Sequence, residues 1–200
     1  MLEKPAQTQV AINDVIAKRW SPRAFDAHQS VSQEQITALL EAARWAPSCR
    51  GEEPWRYLIF DKHTQPQAWE KAFACLDPSN QLWVQHAPLL MLATVVTTFK
   101  HNGKFNPWAA YDCGAASENI CLQAVSMGLM VHQMGGFDAD KAKAQFNIPD
   151  DVTCLSMLAI GYQTTADILT DDYKARELAP RQRQPIPLHF FAGEWDQAYQ

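Results

Sequence analysis

The chain has 200 residues, 47% hydrophobic and 20% charged, enough to close an apolar core and too ordinary for a disordered, collagenous or disulfide-scaffold protein. With 17 basic and 22 acidic side chains the net charge is −5, which excludes the broad basic footprint of a nucleic-acid binder and leaves room for a local basic pocket. Five cysteines, Cys49, Cys75, Cys113, Cys121 and Cys154, include no C-x-x-C pair, so neither a disulfide framework nor a zinc ribbon is expected and a reducing, cytoplasmic setting fits.

The polar residues 1–9 lack the apolar segment of a secretion signal, and the longest apolar run, 88–96, is about half of the ~18 residues that span a membrane. One domain over residues 1–200 is expected. Residues 9–19 carry Ile12, Val15 and Ile16 at helical spacing, and Pro22 biases Ser21 away from helix, which predicts a helix and then a loop. Ser32 can cap the next helix while Gln35 reaches back and Val31 staples onto Ile36; this helix should stop near Ala46-Pro47. A strand over 55–60, a helix over 66–76 with Pro66 in its first turn, and a strand over 89–96 buried on both faces come next.

A long Ala-rich helix over 108–127 should end with Gly128 just beyond its C-cap; 130–134 reads as a strand, Asp138 as the cap of a helix running to Phe146, and 152–160 as a last buried strand. Beyond Gly161 the periodicity dissolves. Residues 163–184 are polar, and Pro180, Pro185 and Pro187 punctuate a tail bearing Phe190, Phe191 and Trp195. So apolar a tail needs a surface, its own domain's or a second subunit's.

Arg19 and Arg23 flank a turn near one end of the chain, and Arg181 and Arg183 stand two apart near the other. Arginine forks suit phosphate, although the sequence alone does not bring the two pairs together. Residues 46–56 form a small-residue loop between a helix and a strand. Residues 128–138 join a strand to a helix cap through Gly135-Gly136, and paired glycines permit close backbone approach to a flat ring.

In this order and spacing, the stretches resemble the FMN-dependent nitroreductase family over residues 15–195. Arg19-Trp20-Ser21-Pro22-Arg23-Ala24-Phe25 is similar to the family's opening R-x-S-x-R-x-F motif. The resemblance implies that Arg19 and Ser21 hold the FMN phosphate and Arg23 the pyrimidine side of the flavin, with Trp20 inside the same motif. Pro47-Ser48-Cys49, followed by Pro54-Trp55, resembles a loop that reaches over the flavin of the other subunit; Gly51 and Glu53 stand where the family usually has Asn and Gln. Asn80 resembles the asparagine at the flavin's polar edge, and Trp83 occupies a position that is basic in some relatives. Gln133-Met134-Gly135-Gly136 resembles the loop whose backbone runs along the isoalloxazine, with the Gly135 amide near N5. Arg181 and Arg183 resemble the closing phosphate clamp.

The resemblance implies an α+β fold with a central, mostly antiparallel sheet surrounded by helices, a homodimer with a C-terminal extension wrapping the partner, and a bound FMN. It further implies a ping-pong oxidoreductase that takes a hydride from NADH or NADPH and reduces a small acceptor such as a nitroaromatic, quinone or activated alkene. A non-catalytic flavin-binding protein is the alternative. The histidines His28, His63, His86, His101, His132 and His189 show no metal-ligand spacing, so no metal site is expected. Cys49 lacks an identifiable His partner and is expected to line the flavin rather than act as a nucleophile.

Overall fold

The computed structural model describes residues 2–199. The fold is organised around β2 (Leu89–Val96), an apolar strand almost wholly withdrawn from water. Its side chains alternate between two cores, as a pleated strand requires. Leu89, Met91, Ala93 and Val95 share one core with α2 (Gln33–Arg44) and α5 (Ala109–Ser126). Leu90 and Leu92 share the other with α3 (Pro66–Phe73), α4 (Pro78–Val84) and α6 (Ala139–Phe146). The outcome is a helix–sheet–helix sandwich. With β1 (Trp55–Asp61), β3 (Met130–Met134) and β4 (Val152–Gly161), the sheet runs β1-β2-β4-β3, and every neighbouring pair is antiparallel.

Local chemistry explains the helices that position the site. Ser32 caps α2 reciprocally: its hydroxyl accepts from the Gln35 amide at 3.1 Å and the Gln35 side chain accepts from the Ser32 amide at 3.0 Å. α5 buries Cys113, Ala116, Ser117, Ile120, Cys121 and Ala124, a helical stripe of mostly small side chains that lets the helix lie close on the sheet. It ends in a Schellman turn. Gly128, at φ +75°, donates to the Val125 carbonyl at 3.1 Å, and Leu129 donates to Ala124 at 2.9 Å, which sends the chain directly into β3.

Three expectations need correction. The first helix is only α1 (Asp14–Lys18), because the Asn13 side chain accepts from the Val15 amide and starts the helix there. The helix expected over 66–76 ends at Phe73, and Pro78 opens a separate helix, α4, as its first-turn residue. The polar stretch after Gly161 contains α7 (Asp171–Leu178), whose one buried residue is Glu177. A helix anchored by a carboxylate has no apolar stripe for periodicity to detect. The tail beyond Arg181 touches chiefly itself: Phe191 bridges Ala198, and its ring meets Trp195 at 5.0 Å.

Candidate functional site

The turn after α1 is docked from three sides. His132 of β3 shares a 2.9 Å hydrogen bond with the Pro22 carbonyl, fixing the turn against the sheet edge. Arg19 lies 3.4 Å from Glu118 of α5. Glu177 of α7 is buried and its carboxylate accepts the backbone N–H groups of Arg23, at 2.9 and 3.0 Å, and of Ala24, at 3.2 Å. Burial pushes the Glu177 carboxyl up in pKa and is the larger effect, which these bonds oppose.

The two ends of the chain meet here. Arg181 donates to the carbonyls of Lys4 at 2.7 Å and Ala17 at 2.9 Å, which seats the C-terminal segment beside α1. Burial, and then the charges of Arg19 and Arg183, push the Arg181 guanidinium below its ordinary pKa. Lys4 is lowered by burial against a raising effect from Glu177, with Arg181 and Arg23 lowering it further. Lys4, Arg19, Arg23, Arg181 and Arg183 thus converge in a chain of net charge −5. The carboxylates among them are Glu118, at Arg19, and Glu177, which is engaged by backbone amides.

A second set of contacts ties the loop after β3 to the start of α4. The Asn80 side chain donates to the Gly136 carbonyl at 3.0 Å, and the Asp77 amide donates to the same oxygen at 3.0 Å. A side chain at 136 would collide with this helix start, since a Cβ would lie 2.6 Å from Asp77 Oδ2 and 2.8 Å from Asn80 Nδ2. Gly135 has open space where its Cβ would stand. The Gln133 side chain turns toward α5 and donates to Cys121 Sγ at 3.3 Å. Burial raises the Cys121 thiol to about 12, so it is a neutral partner.

Two predicted residues direct their side chains elsewhere. Trp20 and Met134 are buried in the second core, and the Lys4 ammonium sits 4.3 Å from the Trp20 ring centre. The contacts therefore relate Arg19, Arg181 and Arg183 to one another, Asn80 to Gly136, and Gln133 to α5, while the Trp20 and Met134 side chains belong to the second core. Pro47, Ser48 and Cys49 lie apart from them. The Cys49 amide donates to Asp112 of α5 at 3.0 Å and the Ser48 hydroxyl accepts from Glu53. At 1.5 Å per residue, the step from Asp112 to Cys121 puts that loop about 14 Å along the helix from Gln133.

Sequence reasoning missed Tyr173, Glu177 and Lys4, and it gave His132 no part in the site. The first two stand four apart in α7, one face of a helix that polarity concealed. One buried polar atom without a partner lies here, Arg23 Nε. A cluster of five cations with two carboxylates among them and an orphaned guanidinium nitrogen suits a phosphorylated planar ligand with a polar edge. FMN has that form. Among the described residues there is no cluster of His, Cys, Asp and Glu able to hold a metal, and no helix is long and apolar enough to cross a membrane.

Known proteins share this architecture. A solved structure described as an oxidoreductase containing FMN superimposes with a TM-score of 0.89 at 32% identity, covering 94% of this chain and 95% of that one. The major NAD(P)H-flavin oxidoreductase of Aliivibrio fischeri is 30% identical over 74 residues, 37% of this chain and 34% of that protein. An uncharacterized 15.4 kDa protein of Mycolicibacterium smegmatis is 34% identical over 88 residues, 44% of this chain; the match spans 59% of that protein's length. The family model described as "Nitroreductase family" matches residues 16–162, from within α1 and through the arginine turn to the end of the sheet. A match that takes in the whole sheet together with the Arg19–Arg23 turn makes the chain a member of the nitroreductase family.

Proposed function

We propose that this chain is an FMN-dependent oxidoreductase that draws on NADH or NADPH and reduces a small aromatic or conjugated acceptor, such as a nitroaromatic, quinone or activated alkene. It works as a homodimer in the cytoplasm, each chain one FMN-binding domain. Bound FMN supplies the two-electron hydride chemistry. The observation that carries this reading is the gathering of Arg19, Arg23, Arg181 and Arg183 about the turn after α1, in a fold where Asn80 ties the Gly136 carbonyl of the loop after β3.

Each residue's work follows from its chemistry. Arg19, Ser21, Arg181 and Arg183 bind the phosphate through charge-assisted hydrogen bonds. Arg23 and Asn80 bind the polar edge of the ring, while Gln133, Met134, Gly135 and Gly136 offer their backbone to its face and Trp20 contributes only main chain. Pro47, Ser48 and Cys49, about 14 Å along α5 from Gln133, serve the flavin of the partner subunit.

Affinity tests this directly. Stripped protein should bind FMN at least tenfold more tightly than riboflavin, because hydrogen bonds to a charged group contribute about 1.5–3 kcal/mol each. Arg181→Leu should weaken FMN and leave riboflavin unchanged. Equal affinities overturn the phosphate assignment. Steady NAD(P)H consumption with a quinone, giving parallel initial-rate lines at several acceptor concentrations, supports the ping-pong enzyme; tight FMN binding without turnover supports a flavin-sequestering protein instead.

A further inference from the structure

Arg23 stands in a ladder of rings and cations. The His132 and Trp83 rings meet at 4.5 Å. The Arg23 guanidinium carbon lies over two rings, 6.0 Å from the Trp83 ring centre and 5.7 Å from the Tyr173 ring centre. Arg176 covers Tyr173 at 5.4 Å. The clamp is tied together at its open end, where the Tyr173 hydroxyl donates to the Ser79 carbonyl at 2.7 Å and so joins α7 to the start of α4, which carries Trp83.

Four observations separate this arrangement from an ordinary surface arginine. Arg23 is partly buried, and burial is the leading cause that lowers its pKa. Among the described residues no carboxylate lies within ion-pair distance of its guanidinium; Glu177, the nearest in effect, is occupied by the Arg23 and Ala24 amides. Its Nε has no partner. Two aromatic rings lie within cation–π reach of the fork and do not neutralise it, and a guanidinium over rings gains cation–π attraction that leaves its edge donors free. The arrangement is a fixed, unpaired cation.

We propose that Tyr173, with Trp83, is a positioning residue that clamps the Arg23 guanidinium so that its charge is set in advance toward the flavin's pyrimidine edge, where negative charge collects on two-electron reduction. This rests on the FMN reading above and on Arg23 being at that edge. A preorganised cation favours the reduced over the oxidised flavin more than a mobile one, because no reorientation is needed as the charge appears. Tyr173 has no contact with flavin in this scheme; it acts only through Arg23.

The test is a spectroscopic redox titration of the FMN-loaded protein and its variants, with FMN affinity measured alongside. Arg23→Leu should cut the preference for reduced over oxidised FMN about tenfold, which for a two-electron couple is ~30 mV. Tyr173→Leu should cut it about threefold, and Tyr173→Phe, which keeps the ring and loses only the tie to Ser79, should shift it less than Tyr173→Leu does. Arg23→Lys, which keeps the charge and loses the planar stack, should resemble Tyr173→Leu and guards against misfolding of that variant. In an Arg23→Leu background Tyr173→Leu should change nothing further. A parent potential in both Tyr173→Leu and Arg23→Lys overturns the clamp, as does a Tyr173→Leu shift that persists without Arg23. If Arg23→Leu itself keeps the parent potential while losing FMN, the placement of Arg23 at the ring fails, and the clamp with it.

Discussion

His132 shows how one partly buried residue can shape the pH dependence of stability. Its ring is largely buried against Trp83, and its Nδ1 proton is assigned by the bond to the Pro22 carbonyl. Burial, against the raising effect of that bond and with Arg23 adding to the lowering, holds the imidazole down to about 4, from an ordinary 6.5. Between those two values the unfolded chain binds a proton that the folded chain refuses, so stability falls as pH drops through the window. At pH 5 the loss from this group is about 2 kcal/mol at most, since each tenfold change in proton activity across the window contributes about 1.36 kcal/mol. Glu177, raised by burial, has the opposite sign and offsets part of it. The comparison that isolates His132 is urea unfolding at pH 7 and pH 5 of the parent and of His132→Phe, which keeps a ring on Trp83 and cannot titrate. The variant should lose less stability on acidification by about 1–2 kcal/mol; an identical loss in both proteins assigns the pH dependence to other groups.

Among elements, the adjacent glycines of the loop after β3 make a sharper contrast. Gly136→Ala would place a methyl 2.6 Å from Asp77 Oδ2 and 2.8 Å from Asn80 Nδ2, forcing the loop off the start of α4. Overpacking of this kind costs about 1–3 kcal/mol. At about 2–4 °C per kcal/mol for a chain of this size, the thermal midpoint should fall by about 2–12 °C. Gly135→Ala meets nothing within 4 Å and should leave the midpoint where it is. Calorimetry of the two variants decides, and equal shifts would mean that the loop does not press on α4.

The same elements show why sequence carried some of the fold and not the rest. β2 was legible as a continuous apolar run of strand length, α5 as an Ala-rich stretch closed by Gly128, and α2 because Ser32 and Gln35 form a capping box. α4 and α7 were not. Pro78 belongs equally to a helix start and a helix end, and α7 is held by Glu177 rather than by an apolar stripe. The Arg19–Arg23 turn and the 133–136 loop could be picked out by motif, yet the meeting of Arg181 with α1 depends on the carbonyls of Lys4 and Ala17, groups that every residue carries.

At the scale of the whole molecule, the chain leaves much apolar surface in water. Trp195 is 81% exposed, Tyr111 77% and Trp45 74%, and Leu188, Phe190 and Tyr199 are exposed as well. Large exposed aromatics of this number mark an interaction surface more often than a free one. Tyr111 opens α5 near the Asp112–Cys49 contact, the part of the molecule proposed to face the partner's flavin. The tail from Pro185 onward touches chiefly itself, in a short turn at 186–188 and the Phe191–Ala198 bridge. A second copy of the chain is therefore the occupant proposed for both surfaces, with the tail laid across it. Removing residues 185–200 tests this while keeping Arg181 and Arg183. In light scattering the parent should have twice its chain mass of 22.6 kDa. The truncated protein should run as a monomer, or dissociate at micromolar concentration, and should lose FMN on dilution because the partner's Pro47–Cys49 loop is lost with the dimer. A truncated protein that stays dimeric and yellow removes the tail from the interface. A parent that is monomeric with full FMN occupancy would place the whole flavin site within one chain, and Pro47, Ser48 and Cys49 outside it.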